Sequence, residues 1–369
     1  MTKLSTRPDS RPDAARAIIE RAAAALSVPK LAPANSFVLH APLELMARVQ
    51  LLPLVAPARR EAALARIDWL ADGYEASGAP VPAPATADEP VDAAALLRAV
   101  AGGDQARVDA LAAAWLPQHS APAVVGAIAE ALVPATAAAG HAPIGLAQLL
   151  RDPTMPLMLL RGPLRAIASA PGWRVSWHEQ VTTQGDAGGL YAALRAAPML
   201  GRPGSDFIHP LMTQAQQPGV ADRLLGPLLA DRYDVPAALA TVTRVAAWSM
   251  LHDDPEQAPY GWTHALTMPQ AVLSLAGAGV RARSALAVGA TFALGFRLAH
   301  GTVELPDRID TVAAPAGVAE LAGAASLHHD AHLVKYTLAC IRAAEHDPAY
   351  CGLYLAAAAS LADWWHAHP

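Results

Sequence analysis

The sequence predicts an all-α protein that forms a single irregular multi-helix domain. Alanine and leucine dominate a chain that is 53% hydrophobic, whereas aromatic residues make up only 5% of it. This balance favours helices over strands. From Asp13 onward, apolar residues recur with the spacing of a helix face. Prolines divide this pattern into segments of ordinary helix length.

The chain is expected to begin with a disordered tail over residues 1–11, which are polar and include a proline. Residues 12–369 are then expected to form one helical domain. Its predicted helices are 13–27, 41–52, 58–76, 91–101, 104–115, 121–138, 142–151, 187–197, 220–231, 235–250, 267–277, 282–299, 315–328, 329–345 and 348–367.

Three segments interrupt the helical pattern. Residues 79–90 (APVPAPATADEP) are rich in proline and alanine and predict a loop inside the domain. Residues 172–181 (GWRVSWHEQV) alternate in the manner of a strand and predict at most a short β-hairpin or extended crossover. Residues 198–212 predict a turn-rich loop over the surface or across the mouth of a pocket.

The composition argues against several classes of protein. A net charge of −5 provides no basic surface for nucleic acid. The longest apolar stretch, 284–299, is shorter than the ~18 residues that a membrane span needs. The N-terminus lacks the features of a secretory leader, and two cysteines are too few for a disulfide framework. We therefore expect a cytoplasmic protein with no nucleic-acid or membrane partner. The oligomeric state stays open.

Four of the 14 histidines lie at, or just before, the start of an apolar helix: His40, His141, His264 and His332. A helix start holds the backbone fixed and projects the imidazole into the space between helices. Each histidine alone is more simply a hydrogen-bonded core or capping residue. Because imidazole is the commonest metal ligand, four in the same setting indicate a metal site.

Lys335 is one of only three lysines in the chain and lies in an apolar helix. It follows His332 by three residues, so the two side chains start on one helix face, ~5–6 Å apart. Tyr336 shares this face, whereas apolar residues line the opposite one. The pattern predicts a polar cavity inside the protein.

The residues alone leave two interpretations of Lys335 open. Its amine pairs with a distant carboxylate, or extends toward solvent along its apolar stem. Alternatively, burial lowers the pKa of the amine, and the neutral amine adds carbon dioxide to become a carbamate. A carbamate beside histidines can bind a metal.

Two further motifs point to other metal sites. The segment LHDDPEQ (251–257) is similar to the Asp-rich diphosphate motif of helical terpene cyclases, but Pro255 interrupts the helix that this motif needs. The pair His329-Asp330 is similar to that of helical metal-dependent phosphohydrolases, yet nothing in the spacing identifies the remaining ligands.

Four segments, in their order along the chain, resemble the questin oxidase-like family. They are FVLHAPLELMARV, AAAGHAPIGLAQLL, THALTMPQAV and DAHLVKYTLACIRAAEHDP. The similarity extends over residues 35–365 and is concentrated in these segments. That family is associated with oxidative, Baeyer–Villiger-like cleavage of anthraquinone-type polyketide rings by non-heme iron.

The resemblance implies that iron is bound by His40, His141, His264 and His332, and by Lys335 as its carbamate with carbon dioxide. It implies an aromatic small molecule and dioxygen as substrates, and it leaves open whether NADPH is needed. Lys335 is then also a catalytic residue.

Two aromatic residues are candidates for contact with such a substrate. Tyr336 lies on the His332 face and is a candidate catalytic proton donor, although a core tyrosine is the simpler interpretation. Trp262, two residues before His264, could stack on an aromatic ring. Two other functions stay open: a helical zinc or manganese hydrolase that uses the same histidines, and a helical binding protein whose histidines are structural.

Overall fold

The computed structural model describes residues 11–31, 35–84, 91–181, 189–204, 208–217, 219–229 and 234–368. Within these residues the chain forms 17 α-helices and no β-strand, which confirms the predicted all-α class. The predicted disordered tail lies outside the described residues except for Arg11, which begins the first helix.

The helices, joined by short 3₁₀ turns, are α1 (Arg11–Leu26), α2 (Ser36–Leu51), α3 (Arg60–Ala76), α4 (Ala93–Ala101), α5 (Gln105–Trp115), α6 (Ala121–Leu132), α7 (His141–Arg151), α8 (Arg161–Ser169), α9 (Leu190–Arg195), α10 (Ile208–Ala215), α11 (Ala221–Leu225), α12 (Val235–His252), α13 (Thr263–Ser274), α14 (Ala282–His300), α15 (Val318–Leu327), α16 (Ala331–His346) and α17 (Cys351–Ala367).

Two predicted helix boundaries are wrong for local reasons. Helix α2 begins five residues earlier than predicted, because the Asn35 side chain accepts a hydrogen bond from the Val38 N–H at 2.9 Å and caps the helix at Ser36. The helix predicted over 121–138 ends at Leu132, ahead of Pro134.

Two helices were missed in the sequence. Helix α10 occupies the end of the segment predicted as a loop over 198–212, because its buried residues recur at i, i+3, i+4 and i+7 from Ile208. Helix α8 was not predicted at all. Each has a proline as its third residue, Pro163 in α8 and Pro210 in α10. A proline in a first turn is compatible with a helix.

The strand-like segment 172–181 does not form a hairpin. Its backbone pairs with Pro134–Thr136 instead: Thr136 N–H donates to the Trp173 carbonyl and Val175 N–H donates to the Pro134 carbonyl, both at 2.8 Å. The chain then turns into a 3₁₀ helix over Trp177–Gln180. The alternation therefore marks an extended crossover.

Four helices at the centre of the molecule pack in a closed ring. Helix α2 packs on α7, α7 on α13, α13 on α16, and α16 on α2. Their facing sides form part of one continuous apolar core. Each of the four helices carries one of the histidines predicted as ligands.

A buried ion pair on α2 connects this ring to the end of α15. Glu44 and Arg48 lie one turn apart on α2, with both side chains only 1% exposed and 2.6 Å between Oε1 and Nη2. Arg48 also donates to the carbonyls of Ser326 and His328, at 2.7 and 2.6 Å. The pair therefore ties α2 to the segment that leads into α16.

One segment of the described chain, Ser36–Leu54, is long and apolar enough to cross a membrane by length and composition alone. It contains α2, and 61% of its most apolar window is buried inside the protein. A core helix passes the same test, so this finding is weak support for a membrane span.

Asp347 connects the C-terminal end of α16 to α12 and α17. Its carboxylate accepts two hydrogen bonds from Arg244, at 2.6 and 2.7 Å, and one from the Tyr354 hydroxyl at 2.8 Å. Burial by itself raises the pKa of this carboxyl, but the hydrogen bonds and the charge of Arg244 outweigh it and lower the pKa below its ordinary value.

We predict that Asp347→Asn lowers the free energy of unfolding by about 1–3 kcal/mol at neutral pH. Because the folded-state pKa of Asp347 is depressed, its contribution is present above the ordinary carboxyl pKa and is lost as the pH falls through the folded-state value. The difference between variant and wild type, measured by urea unfolding, should therefore shrink below about pH 4.

Asp310→Asn is the control, because Asp310 pairs with Arg308 while both side chains are about four-fifths exposed. It should change stability by less than about 0.5 kcal/mol. A difference for Asp347→Asn that stays constant down to pH 2.5 would contradict the assigned role of its carboxylate.

Candidate metal centre

The four helices of the ring bring four histidines together in the core. The ring centroids of His40 and His332 are 4.4 Å apart, those of His40 and His141 are 4.5 Å apart, and those of His264 and His332 are 5.2 Å apart. One nitrogen from each of His40, His264 and His332 lies within 4.8 Å of the other two. His141 completes the cluster beside His40.

His40 is oriented by its own helix. Its Nδ1 lies 2.6 Å from the carbonyl oxygen of Ser36, one turn earlier, and 3.2 Å from the Ser36 hydroxyl. A carbonyl only accepts, so Nδ1 carries the proton and Nε2 carries the lone pair. The buried Nε2 has no hydrogen-bond partner. This arrangement leaves a nitrogen lone pair free to bind a metal ion.

His264 is held in the same way from the preceding turn. Its Nδ1 donates to the carbonyl of Tyr260 at 2.5 Å. Residues Ala258–Trp262 form one turn of π-helix, a wider turn that is common at functional sites. Because Nδ1 of His264 carries the proton, its lone pair is also on Nε2. Fixing the ring through its other nitrogen is how proteins orient histidine ligands.

His332 is the second residue of α16, and Asp330 caps that helix. The Asp330 carboxylate accepts from the backbone N–H groups of His332 and Leu333, at 2.7 and 3.3 Å. The same oxygen also lies 3.3 Å from His332 Nδ1, but the two atoms do not have the geometry of a hydrogen bond. Asp330 therefore fixes the start of α16 and puts a negative charge behind the imidazole.

His141 follows a strained turn. Ala138, Ala139 and Gly140 all have left-handed backbone conformations, with φ of 54°, 50° and 69°, which is unfavourable for the two alanines. This turn places His141 as the first residue of α7, where it is fully buried and neither ring nitrogen has a hydrogen-bond partner.

All four imidazoles are neutral at physiological pH. Burial is the largest cause and lowers the pKa of each ring below its ordinary value, and the charge of Lys335 lowers it further. For His332, the neighbouring Asp330 partly opposes this effect. Neutral rings keep the lone pairs with which histidine binds metal ions.

Lys335 lies in the interior beside this cluster, with only 5% of its surface exposed. Burial lowers the pKa of its amine to about 7, and the carboxylates of Asp330 and Glu44 only partly oppose this. Asp330 caps α16 and Glu44 is paired with Arg48. Among the described residues, no carboxylate lies within 4.0 Å of Lys335 to pair with it.

The two aromatic residues predicted to contact a substrate are both buried away from open space. Tyr336 is fully buried, and burial and the adjacent Cys340 raise the pKa of its hydroxyl well above the ordinary value. Trp262 is also buried, with its ring 6.0 Å from that of His300. Neither residue lines the cavity that opens beside the histidines.

That cavity has a volume of about 440 Å³ and is lined by His40, His264 and His332. We refer to it as the histidine cavity. Its remaining wall combines apolar side chains with polar groups: Asn35, Ser36, Leu39, Ala139, Arg202, Ile208, Leu211, Glu256, Gln257, Tyr260, Gly261, Phe296 and His300. The volume and mixed lining are typical of a small-molecule site.

Tyr260 is the residue of this cavity that sequence reasoning most clearly missed. Its side chain is 57% exposed, and its ring stands edge-on to His332 with centroids 5.0 Å apart. It precedes His264 by four residues. Helical spacing backward from that histidine could have identified it.

The two acidic motifs have structural roles. Asp253, from LHDDPEQ, is buried, pairs with Arg297 at 2.6 Å, and accepts from the backbone of Thr302 and Val303. Asp254 caps the short 3₁₀ helix Pro255–Gln257. In the pair His329-Asp330, the aspartate caps α16 and the histidine stacks on His328 at the surface.

Comparisons of the chain with protein-family models, with curated proteins and with solved structures found no match.

Gly140→Ala should destabilise the protein by about 1–3 kcal/mol. A Cβ atom at Gly140 would overlap Cε of Met268 on α13, and the left-handed φ of Gly140 disfavours any other residue. Thermal and urea unfolding measure the change.

Gly126→Ala is the matched control, since Gly126 lies inside α6 and its added Cβ would meet nothing within 4 Å. This change should stabilise the protein by up to about 1 kcal/mol. Equal effects of the two substitutions would contradict the conformation assigned to the turn before His141.

Proposed function

We propose that the protein is a non-heme iron oxygenase that oxidatively cleaves a ring of a polycyclic aromatic molecule, such as an anthraquinone-type polyketide. The observation that carries this proposal is a cluster of four buried, neutral histidines, three of which have nitrogens within 4.8 Å of one another and line a cavity of small-molecule size. The resemblance of the four histidine-bearing segments to the questin oxidase-like family supports the choice of reaction.

A metal ion accounts for the unpaired nitrogens of the cluster. Burying a polar atom without a partner costs about 1–3 kcal/mol, so several in one place need an explanation. Nitrogen atoms that lack a partner occur in His40, His141 and His332, and His264 keeps a lone pair on Nε2. His40, His264 and His332 would hold the ion, with His141 as a fourth ligand.

Imidazole ligands are compatible with iron as well as with zinc. Iron, when bound, supplies redox chemistry with dioxygen. Four neutral imidazoles leave the full charge of the ion in the apolar core, where an uncompensated charge is costly. An anionic ligand therefore improves the fit.

Lys335 is the residue that would supply this anion, as a carbamate. Its amine is buried beside the histidines and has no carboxylate partner among the described residues. Nitrogen attacks the carbon of carbon dioxide, a C–N bond forms, and one proton leaves. Gln148 lines the same small cavity as Lys335, and its buried Oε1 lacks a hydrogen-bond partner. It could accept from the carbamate N–H.

The histidine cavity suits a flat aromatic substrate. Phe296, Leu211 and Ile208 provide apolar walls, and the ring of Phe296 lies 6.5 Å from that of His264. Tyr260 lines the same cavity beside His332, so its hydroxyl is available to donate a hydrogen bond to a substrate oxygen. Apolar walls also exclude water from a reacting ring.

Electron balance separates two forms of the reaction. Inserting one atom of dioxygen into a ring C–C bond releases the other as water and consumes two electrons, which NADPH could supply. Inserting both atoms consumes none. Oxygen uptake with and without NADPH distinguishes the two forms.

One prediction of this proposal concerns metal content. Purified wild-type protein should contain about one iron per chain by elemental analysis, and His332→Ala should lose it, because His332 is one of the three histidines whose ligand nitrogens lie within 4.8 Å of one another. His252→Ala should retain iron, since His252 is exposed and bonds to the carbonyl of Trp248 on its own helix.

The metal that is found decides between the proposal and its alternatives. Iron together with oxygen uptake on an anthraquinone supports the oxygenase. Zinc or manganese with oxygen-independent turnover would replace it with a hydrolase. No stoichiometric metal would replace it with a binding protein that has structural histidines.

Another prediction of this proposal concerns Lys335. Lys335→Ala should weaken iron binding by at least about tenfold, because it removes the anionic ligand, and Lys335→Glu should retain more affinity. Lys30→Ala is the control. The Lys30 amine donates to the carbonyls of Glu75 and Gly78, so this change should leave iron binding unaltered.

A direct measurement is ¹³C NMR of the zinc-substituted protein in ¹³C-bicarbonate. A carbamate signal should appear in the wild type and be absent from Lys335→Ala. Iron affinity unchanged in that variant, together with no such signal, would rule out the carbamate ligand.

A further inference from the structure

A second cavity, of about 480 Å³, lies beside the histidine cavity. We refer to it as the distal cavity. Leu39, Ala139 and Ile208 line both cavities, so the two spaces share one wall. This wall consists of aliphatic side chains, of which those of Leu39 and Ile208 can shift between rotamers.

The sequence of α2 explains why the two cavities adjoin. Ser36 and His40 are one turn apart and line the histidine cavity, whereas Val38 and Pro42 are one turn apart and line the distal cavity. With a 100° step per residue, Leu39 falls between these two faces. A single helix therefore borders both spaces, with Leu39 at their junction.

The distal cavity is predominantly apolar. Its wall includes Tyr74, Pro163 and Ala166, together with Trp173, whose ring is stacked on His209 with centroids 4.5 Å apart and an interplanar angle of 5°. The exposed face of such a stack favours another flat ring.

The two cations in this wall already have partners. Lys30 donates to two backbone carbonyls at 3.0 and 3.1 Å, and Arg165 is paired with Asp109. Each cation therefore has hydrogen-bond acceptors from the protein itself. The lining therefore fits an uncharged, apolar occupant.

We propose that the distal cavity binds a second, apolar ring system of an elongated aromatic substrate whose reacting ring lies beside the histidines. This inference rests on the proposed function and adds a substrate class to it: molecules in which an apolar ring system extends from the ring that reacts. Each cavity is already within the roughly 300–1,000 Å³ of ordinary ligand sites. A substrate confined to the histidine cavity would leave the distal cavity unused.

The test compares two probes that share one head group. Catechol fits the histidine cavity alone, and 4-phenylcatechol carries an added apolar ring.

Their dissociation constants are measured by calorimetric titration of the iron-loaded wild type, Ala166→Phe and Ala106→Phe. Ala166 lines the distal cavity and no residue of the histidine cluster lies on its helix, whereas Ala106 is exposed on α5. Ala170→Phe fills the same cavity from another position and covers the case in which Ala166→Phe folds poorly.

In the wild type, the added ring should tighten binding by at least about tenfold. Ala166→Phe or Ala170→Phe should remove this gain while leaving catechol binding unchanged, and Ala106→Phe should retain it. A gain that survives in both cavity-filling variants, or that is absent from the wild type, overturns the inference. Failure of catechol to bind the wild type overturns the inference and counts against the metal site, while the metal analysis tests the proposed function independently.

Discussion

The constraint on which this structure depends is the burial of four imidazoles, with unpaired nitrogens, in an apolar helical core. Such groups are unfavourable unless something binds them. The ring of helices α2, α7, α13 and α16 holds the rings 4.4–5.9 Å apart in most pairs, too close to be separated by other side chains. Burial and the charge of Lys335 both lower the pKa of these rings, and the carbonyls that bind Nδ1 of His40 and His264 leave the lone pair on Nε2.

The four histidines are not held alike. His40 and His264 are fixed through Nδ1 by the carbonyl one turn earlier, and His332 has a carboxylate behind it. His141 has no hydrogen bond to either nitrogen, so packing alone sets its orientation. Three rings therefore have a polar group beside one nitrogen, while the fourth has none. This difference matches the closer grouping of the nitrogens of His40, His264 and His332.

The sequence predicts the features that depend on local pattern. Helical spacing identified most helices, and the position of histidines near helix starts selected four residues that are neighbours in space. It did not identify Tyr260, although this residue lies one turn before His264, because the π-helical turn that carries it falls outside the predicted helices. Nor did it predict the left-handed turn at Ala138 and Ala139, since alanine ordinarily favours a helix. The alternation in 172–181 was recognised, but its backbone partner, Pro134–Thr136, is remote in sequence. That pairing is a tertiary contact, which a short window of sequence cannot supply.

The buried Glu44–Arg48 pair has a consequence for protein engineering. Arg48 joins α2 to the backbone just ahead of His332, so the spacing between His40 and His332 depends on a guanidinium outside the histidine cluster. Transplanting the histidines alone into another helical bundle would leave this spacing undefined. A graft that keeps the site would have to include Glu44, Arg48 and the segment whose carbonyls accept the hydrogen bonds of Arg48.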